Sequence, residues 1–507
     1  MSLRRRNSER QQELWIETGA VAKAPGHVFY ERLNGLLADS GFDRFVEELV
    51  EPYYASQGRP GIPPGVYFRM LFVGYFEGID SQRGIAWRCE DSLSLRKFLG
   101  LSLTESVPDH SSLTRIRDRF PLEVTEQVFA FVLQMAGDHS LISGSRVGVD
   151  ATFLEANAAM KTIVRRDSDE DWKDYIRRLM REEGVIDDDD EPTDEELRRF
   201  DRKRKGKKVS NADWKSESDD DARIVKMKDG RTHFGYKAEH TVDLETEVIL
   251  SATVQEGTAP DSQTLLSAVV DARVNLILAG SDADIIEVAA DKGYHSNAQI
   301  TDCTAAGLRT YIPEPLSPHS RRWTDKSAEV KAAVLNNRRR TGRAKSKQMQ
   351  RHRSERVERS FAHVCETGGT RRTWLRGLEK INKRYSMVVA AHNLGLLMRK
   401  LFGSGKPRQA AALWAVVNSS LAELISRFLR SVKTQTTADR PGSQIHTLNV
   451  TRLVTMQNCQ YGRISTACYL SAAAMSLKSE PLPWTDKRLC KLRVCEKATD
   501  IAACIRL

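Results

Sequence analysis

Three acidic residues, Asp150, Asp291 and Glu358, sit beside short apolar runs in ways that could make them reactive. Asp291 follows Ile285, Ile286, Val288, Ala289 and Ala290, a run that reads as a buried strand, and Gly293 supplies turn chemistry directly after it. A carboxylate at the C-terminal end of a strand lies where α/β sheets gather ligands, as metal ligand or general base, although the same residue type also opens turns. Asp150 falls inside a strand-like stretch, 146–158, next to small Ala151. A buried charge there is costly unless something compensates it, and a metal or backbone amides would each serve. Glu358 adjoins the stripe Val357, Phe361 and Val364 of a basic helix, as ligand or as charge partner of its neighbours. Brought to one end of a mixed sheet, the three could hold two divalent ions, because Mg²⁺ takes only one or two carboxylates and leaves positions for water and phosphate oxygens. Two such ions activate an attacking hydroxyl and stabilise the leaving oxygen of an in-line displacement at phosphorus.

The intervening elements have the order that such a site needs. Residues 28–120 place apolar side chains at helical spacing, first Phe29, Leu33, Leu36 and Leu37 and later Tyr67, Met70, Leu71 and Tyr75, with Gly/Pro breaks between them. They predict a compact all-helical unit. Within it Ser111 or Ser112 caps a helix whose Leu113, Ile116 and Phe120 face inward and whose Arg115, Arg117 and Arg119 face out, a face suited to DNA or simply to solvent. A helix over 123–135 precedes the strand with Asp150. Residues 165–222 carry an acidic run and then a basic run with few large apolar residues, and read as a solvated insertion with one or two exposed helices and much mobility. A hairpin follows over 236–243 and 248–254, then a helix over 261–278 with Leu265, Leu266, Val269 and Val270 inward. The strand with Asp291, a helix over 297–306 and a strand over 308–312 come next. Residues 313–350 read as a long basic loop or lid ahead of the helix with Glu358.

A chain of 507 residues is long enough for two or three domains. Lys and Arg number 78 against 68 Asp and Glu, a formal charge of +10 that favours an anionic partner. The eight cysteines form no CxxC pair and no standard zinc spacing, and the first residues lack the apolar core of a signal peptide. Reduced thiols in a cytoplasmic protein are the expectation. No stretch approaches eighteen consecutive apolar residues, so no membrane partner is expected. Residues 410–432 read as an amphipathic helix, and 434–507 as a tail without clear periodicity.

Several motifs occur in a fixed order. They are Val149-Asp150-Ala151-Thr152 with Ala156-Asn157-Ala158, Gly235-Tyr236-Lys237 before Val242-Asp243, Ala290-Asp291-Lys292-Gly293-Tyr294, and Val357-Glu358-Arg359-Ser360-Phe361. Gly369-Thr370-Arg371-Arg372, Leu375-Arg376-Gly377 and Ala390-Ala391-His392-Asn393-Leu394 follow. Each is weak alone, but the ordered set resembles the DDE transposases of bacterial insertion sequences, in the broad IS4/IS5 group and most closely the IS1182-like branch. The resemblance implies an α/β fold with an RNase H-like mixed-sheet catalytic core over 141–402, an all-helical N-terminal domain over 1–140, the charged insertion at about 165–222, and a C-terminal helix and tail over 403–507. It implies a transposase that binds the terminal inverted repeats of its element and cuts and joins DNA with Mg²⁺ or Mn²⁺, two ions held by Asp150, Asp291 and Glu358 as the catalytic acids. The implied partner is double-stranded DNA, both element ends and target, engaged by a homodimer in the bacterial cytoplasm at the nucleoid. Lys292, Tyr294, Arg353, Arg356, Arg359, Arg371 and Arg115 are the expected DNA contacts. Where the family carries a Tyr, an Arg and a Lys around the third acid, this chain has Arg351, Ser354 and Cys365, which leaves the basic role to Arg353, Arg356 or Arg371. Glu355, one turn earlier, is the fallback for the third acid. The alternative that these departures raise is a transposase-derived DNA-binding protein without catalytic activity.

Overall fold

Helical spacing in the first part of the chain produces seven helices: α1 (Val28–Asp39), α2 (Phe42–Val50), α3 (Pro64–Glu77), α4 (Gln82–Asp91), α5 (Leu93–Leu99), α6 (His110–Arg119) and α7 (Leu122–Asp138). The computed structural model describes residues 27–410, apart from 56, 58–60, 188, 204–210, 228 and 317–322, together with 423 and 426. Helix α3 is central and buried nearly all round, with Tyr67, Phe68, Met70, Phe72 and Tyr75 all enclosed. The cap of α6 is Asp109, whose carboxylate accepts from the Ser112 N–H at 2.8 Å, rather than either serine. Arg117, expected on the open face, is buried beside the ring of Trp374 at 5.8 Å, while Arg115 and Arg119 remain exposed.

A mixed sheet follows. Its strands are β1 (Arg146–Glu155), β4 (Arg223–Lys226), β5 (Thr232–Asp243), β6 (Ile249–Glu256), β7 (Glu287–Ala289) and β8 (Arg309–Tyr311), and a separate pair is formed by β2 (Ile163–Arg165) and β3 (Trp214–Ser216). The order across the sheet is β6–β5–β1–β7–β8, with β4 pairing the first residues of β5. Strands β1, β5 and β6 are antiparallel, whereas β7 and β8 run parallel to β1. This is the RNase H-like arrangement. Helix α10 (Asp261–Leu278) covers one face, where Thr241 donates to the Ala268 carbonyl. The opposite face carries α13 (Ala344–Phe361), continued by a π-helical segment over Ala362–Thr367, and α14 (Leu378–Phe402). Helix α11 (Asn297–Ala305) joins β7 to β8.

Two further sequence expectations need correction. The stretch before Gln350 is not a loop, because α12 (Ala328–Thr341) and the first turns of α13 occupy it. Asn337 is the reason it docks: fully buried, it accepts from Thr310 Oγ1 at 3.0 Å and Ile312 N at 3.2 Å and donates to the Ile312 carbonyl at 2.8 Å. The charged insertion holds two largely exposed helices, as expected, joined through a small cluster of their own with Ile176 and Met180 of α8 (Trp172–Glu182) and Leu197 of α9 (Asp194–Lys203). Trp172, Tyr175, Leu179, Ile186 and Phe200 pack against that cluster. Val270 faces outward at 44% exposure, since one residue past buried Val269 turns the side chain by about 100° around the helix.

One continuous apolar cluster runs from Phe29 in α1 to Met398 in α14, so the helical unit and the sheet share a core. Among the described residues no helix is long and apolar enough to cross a membrane. The expected C-terminal helix and tail, with Cys459, Cys468, Cys490 and Cys495, lie almost wholly outside the described residues, as does the basic run 204–208.

Candidate active site

The register of two parallel strands brings two of the three acids together. Gly148 of β1 lies opposite Ala289 of β7, so Asp150 and Asp291, the latter just past the end of β7, each follow two residues further on at one level, with Asp150 on the face of the sheet that Gly148 shares. That face is the one α13 covers. An ideal Cβ on Gly148 would lie 2.8 Å from Leu244 Cδ2, 3.0 Å from Arg353 Cγ and 3.1 Å from Val357 Cγ2, so only glycine lets the helix come this close.

Asp150 Oδ1 accepts from the Ala151 N–H at 2.9 Å, and Oδ2 accepts from Arg353 Nη1 at 2.5 Å. Burial raises its pKa, the Arg353 guanidinium and the Ala151 amide oppose that rise, and the nearby charge of Asp291 adds to it. Asp291 also forms the turn that its residue type suggested, with Oδ1 accepting from Gly293 N at 2.8 Å. The turn engages one carboxylate oxygen, Oδ1.

Glu358 comes from the helix that covers this face. It is exposed on α13, and its carboxylate makes no hydrogen bond or ion pair among the described residues. Among those residues no group of three or more His, Cys, Asp or Glu side chains is placed to hold a metal. The two acids themselves fit a hard divalent cation: both are carboxylates, the charge of one is felt at the other, and Asp150 is half-buried where its charge calls for a positive partner.

The other expected residues divide by position. Arg371 Nη1 donates to Thr152 Oγ1 at 3.1 Å, on the strand face that carries Asp150 and two residues further along β1, while its Nε pairs with Glu366 at 3.1 Å. Lys292 is exposed directly after Asp291, and Arg115 is exposed on α6, where it donates to Ser111 Oγ at 2.8 Å. Arg359 is held by Glu247 and Glu355, and Arg356 is half-buried with no partner for Nη1 among the described residues. Tyr294 is 1% exposed, and its hydroxyl donates to Glu239 Oε1 at 2.7 Å, so it anchors the Asp291 turn from inside. Position 365, where the family has a lysine, is in the core, and burial pushes the Cys365 thiol up. Ser354 is exposed.

Two supporting groups escaped sequence reasoning. His240, opposite Asp150 in β5, is stacked on Phe361 at 4.0 Å, with Nδ1 2.8 Å from Ser360 Oγ and Nε2 2.7 Å from Tyr385 OH. Burial lowers its pKa to about 3, so a neutral imidazole clamps α13 and α14 to the strand beside Asp150. On the other face Glu239 accepts from Thr264 Oγ1 at 2.7 Å as well as from Tyr294, while Lys237 pairs with Asp261 at the start of α10. The available signal was Lys237, Glu239 and His240 in a strand otherwise fit for burial, because buried ionisable groups require partners.

Two protein-family models match the chain. The model described as "Transposase domain (DUF772)" matches residues 20–119, and the model described as "Transposase DDE domain" matches residues 289–398, which include Asp291 and Glu358. No match was found among the curated proteins or among the solved structures. In order, the chain thus matches a transposase domain and a transposase DDE domain, consistent with a DDE transposase of the IS1182-like type.

Proposed function

We propose that this transposase binds the terminal inverted repeats of its insertion sequence, cuts DNA there and joins the freed ends to target DNA, with Asp150, Asp291 and Glu358 as catalytic acids. The observation that supports this most is the level placement of Asp150 and Asp291 on neighbouring parallel strands. Mg²⁺ or Mn²⁺, as a pair held by the three acids, would supply activation of the attacking oxygen and stabilisation of the leaving oxygen at phosphorus. The chain's own groups do the positioning. Asp150 and Asp291 present carboxylate oxygens from a rigid sheet, and Arg371, braced on Thr152, and exposed Lys292 bind the phosphates on either side. Arg115 on the open face of α6 holds flanking duplex, and Arg353, Arg356 and Arg359 line the helix that carries Glu358. Two copies acting together in the cytoplasm would pair the two ends of the element. The test is cleavage of end DNA: Asp291→Asn abolishes Mg²⁺-dependent cutting while retaining binding, and full cutting by that variant overturns the assignment.

The exposure of Glu358 and the burial of Cys365 favour a second reading, a transposase-derived DNA-binding protein without chemistry. It predicts salt-sensitive binding of end DNA by the unaltered protein and no strand cleavage with any divalent ion.

A further inference from the structure

Arg353 is held against Asp150 by more than a single ion pair. Its side chain keeps only 12% of its surface exposed, against 33% for Asp150, and its Nη1 lies 2.5 Å from Asp150 Oδ2. Its Nε donates to Gln350 Oε1 at 3.1 Å. Gln350 in turn donates from Nε2 to the Ala290 carbonyl at 3.0 Å and the Tyr311 carbonyl at 2.6 Å. Ala290 immediately precedes Asp291, so the guanidinium is tethered to both acid-bearing strands. A solvent-exposed ion pair has no need of such bracing. Adjacent carboxylates repel each other, and one cation at the pair relieves the repulsion.

We propose that Arg353 is a resident cation that occupies the Asp150 side of the site in the DNA-free protein, and that a divalent ion must displace it to bind. The proposal rests on the reading of Asp150 and Asp291 as metal ligands. Asp150 Oδ1 accepts from the Ala151 amide and Oδ2 from the guanidinium, so an ion that takes Oδ2 competes with a cation already seated there. Arg353 can leave without unpacking α13, because Val357, Ser360 and Phe361 bury the helix on the sheet independently. The freed guanidinium then suits a DNA phosphate, which accepts it in the same forked geometry as a carboxylate. Binding of DNA and of metal are thereby coupled, and each strengthens the other.

The experiment measures Mn²⁺ binding to the full-length, DNA-free protein by the electron paramagnetic resonance of free Mn²⁺. Arg353→Met binds Mn²⁺ at least fivefold more tightly than the unaltered protein, and Gln350→Met, which loosens the tether and keeps the charge, falls between them. Both gains vanish when Asp150→Asn is added. Duplex DNA tightens Mn²⁺ binding in the unaltered protein and does so less in Arg353→Met. Equal or weaker binding by Arg353→Met overturns the proposal while the metal assignment of Asp150 stands. Absence of any Asp150-dependent Mn²⁺ binding overturns both. If Arg353→Met does not fold, Gln350→Met decides: an affinity equal to that of the unaltered protein overturns the proposal.

Discussion

Tyr294→Phe separates two roles for a residue in the Asp291 motif. As a phosphate contact Tyr294 would contribute to DNA affinity, whereas its position in the fold gives its hydroxyl to Glu239 Oε1 at 2.7 Å with 1% of the residue exposed. Glu239 is itself 1% exposed and keeps Thr264 Oγ1 at 2.7 Å and Gln255 Nε2 at 3.2 Å as its remaining donors. Hydrogen bonds to charged groups contribute about 1.5–3 kcal/mol, so the variant should lose about 2 kcal/mol of stability. The loss depends on pH. Burial raises the Glu239 pKa, and Thr264, Tyr294 and Lys237 hold it down. A raised folded-state pKa stabilises the protein below the unfolded value and loses that contribution as pH rises through the folded one. Removal of Tyr294's hydroxyl raises the folded value further, so the deficit is largest at neutral pH and shrinks in acid, where Glu239 is protonated. Urea denaturation at neutral and acidic pH measures it, alongside anisotropy of labelled end DNA over a salt series. A tenfold loss of DNA affinity with unchanged stability would refute the internal role.

Gly148→Ala forces a Cβ to within 2.8 Å of Leu244 Cδ2 and 3.0 Å of Arg353 Cγ, and should cost about 1–3 kcal/mol and reduce cleavage as α13 shifts from Asp150, whereas an unchanged melting temperature contradicts the close packing. Arg371→Met should weaken binding of all DNA sequences alike and lower the slope of log affinity against log salt by about one, and an unchanged slope removes Arg371 from the phosphate contacts. Burial pushes the thiols of Cys89 and Cys303 up to about 12 and raises that of Cys365. Iodoacetamide at pH 8 should therefore leave all three unmodified in the folded protein by peptide mass mapping, and rapid labelling of any of them counts against its burial.

Much of the scaffold was legible because its signals are local. The helical spacing around Leu33 and Tyr67, the hairpin through Val242 and the short strand through Val288 each depend on residues within a few positions of one another, and each appears where its pattern places it. Asp109 and Ser327 escaped notice as caps because a cap depends on the exact first residue of its helix. The helices before Gln350 were missed for another reason. Their basic surface suggested a loop, while their inward residues Ala333, Val334 and Asn337 are small or polar and acquire meaning only against β8.

Composition and order were enough to bring out three acids, a basic surface and the succession of a helical unit, strands and helices, since residue type and chain order are properties of the sequence itself. Whether the acids meet depends on registers and helix rotations that link residues more than a hundred positions apart. Parallel pairing of β1 with β7 sets Asp150 level with Asp291, and the rotation of α13 turns Arg353 toward Asp150 while Glu358 faces solvent. A strand register shifted by one residue, or a helix turned by one position, would leave the sequence's motifs unchanged and assemble a different site.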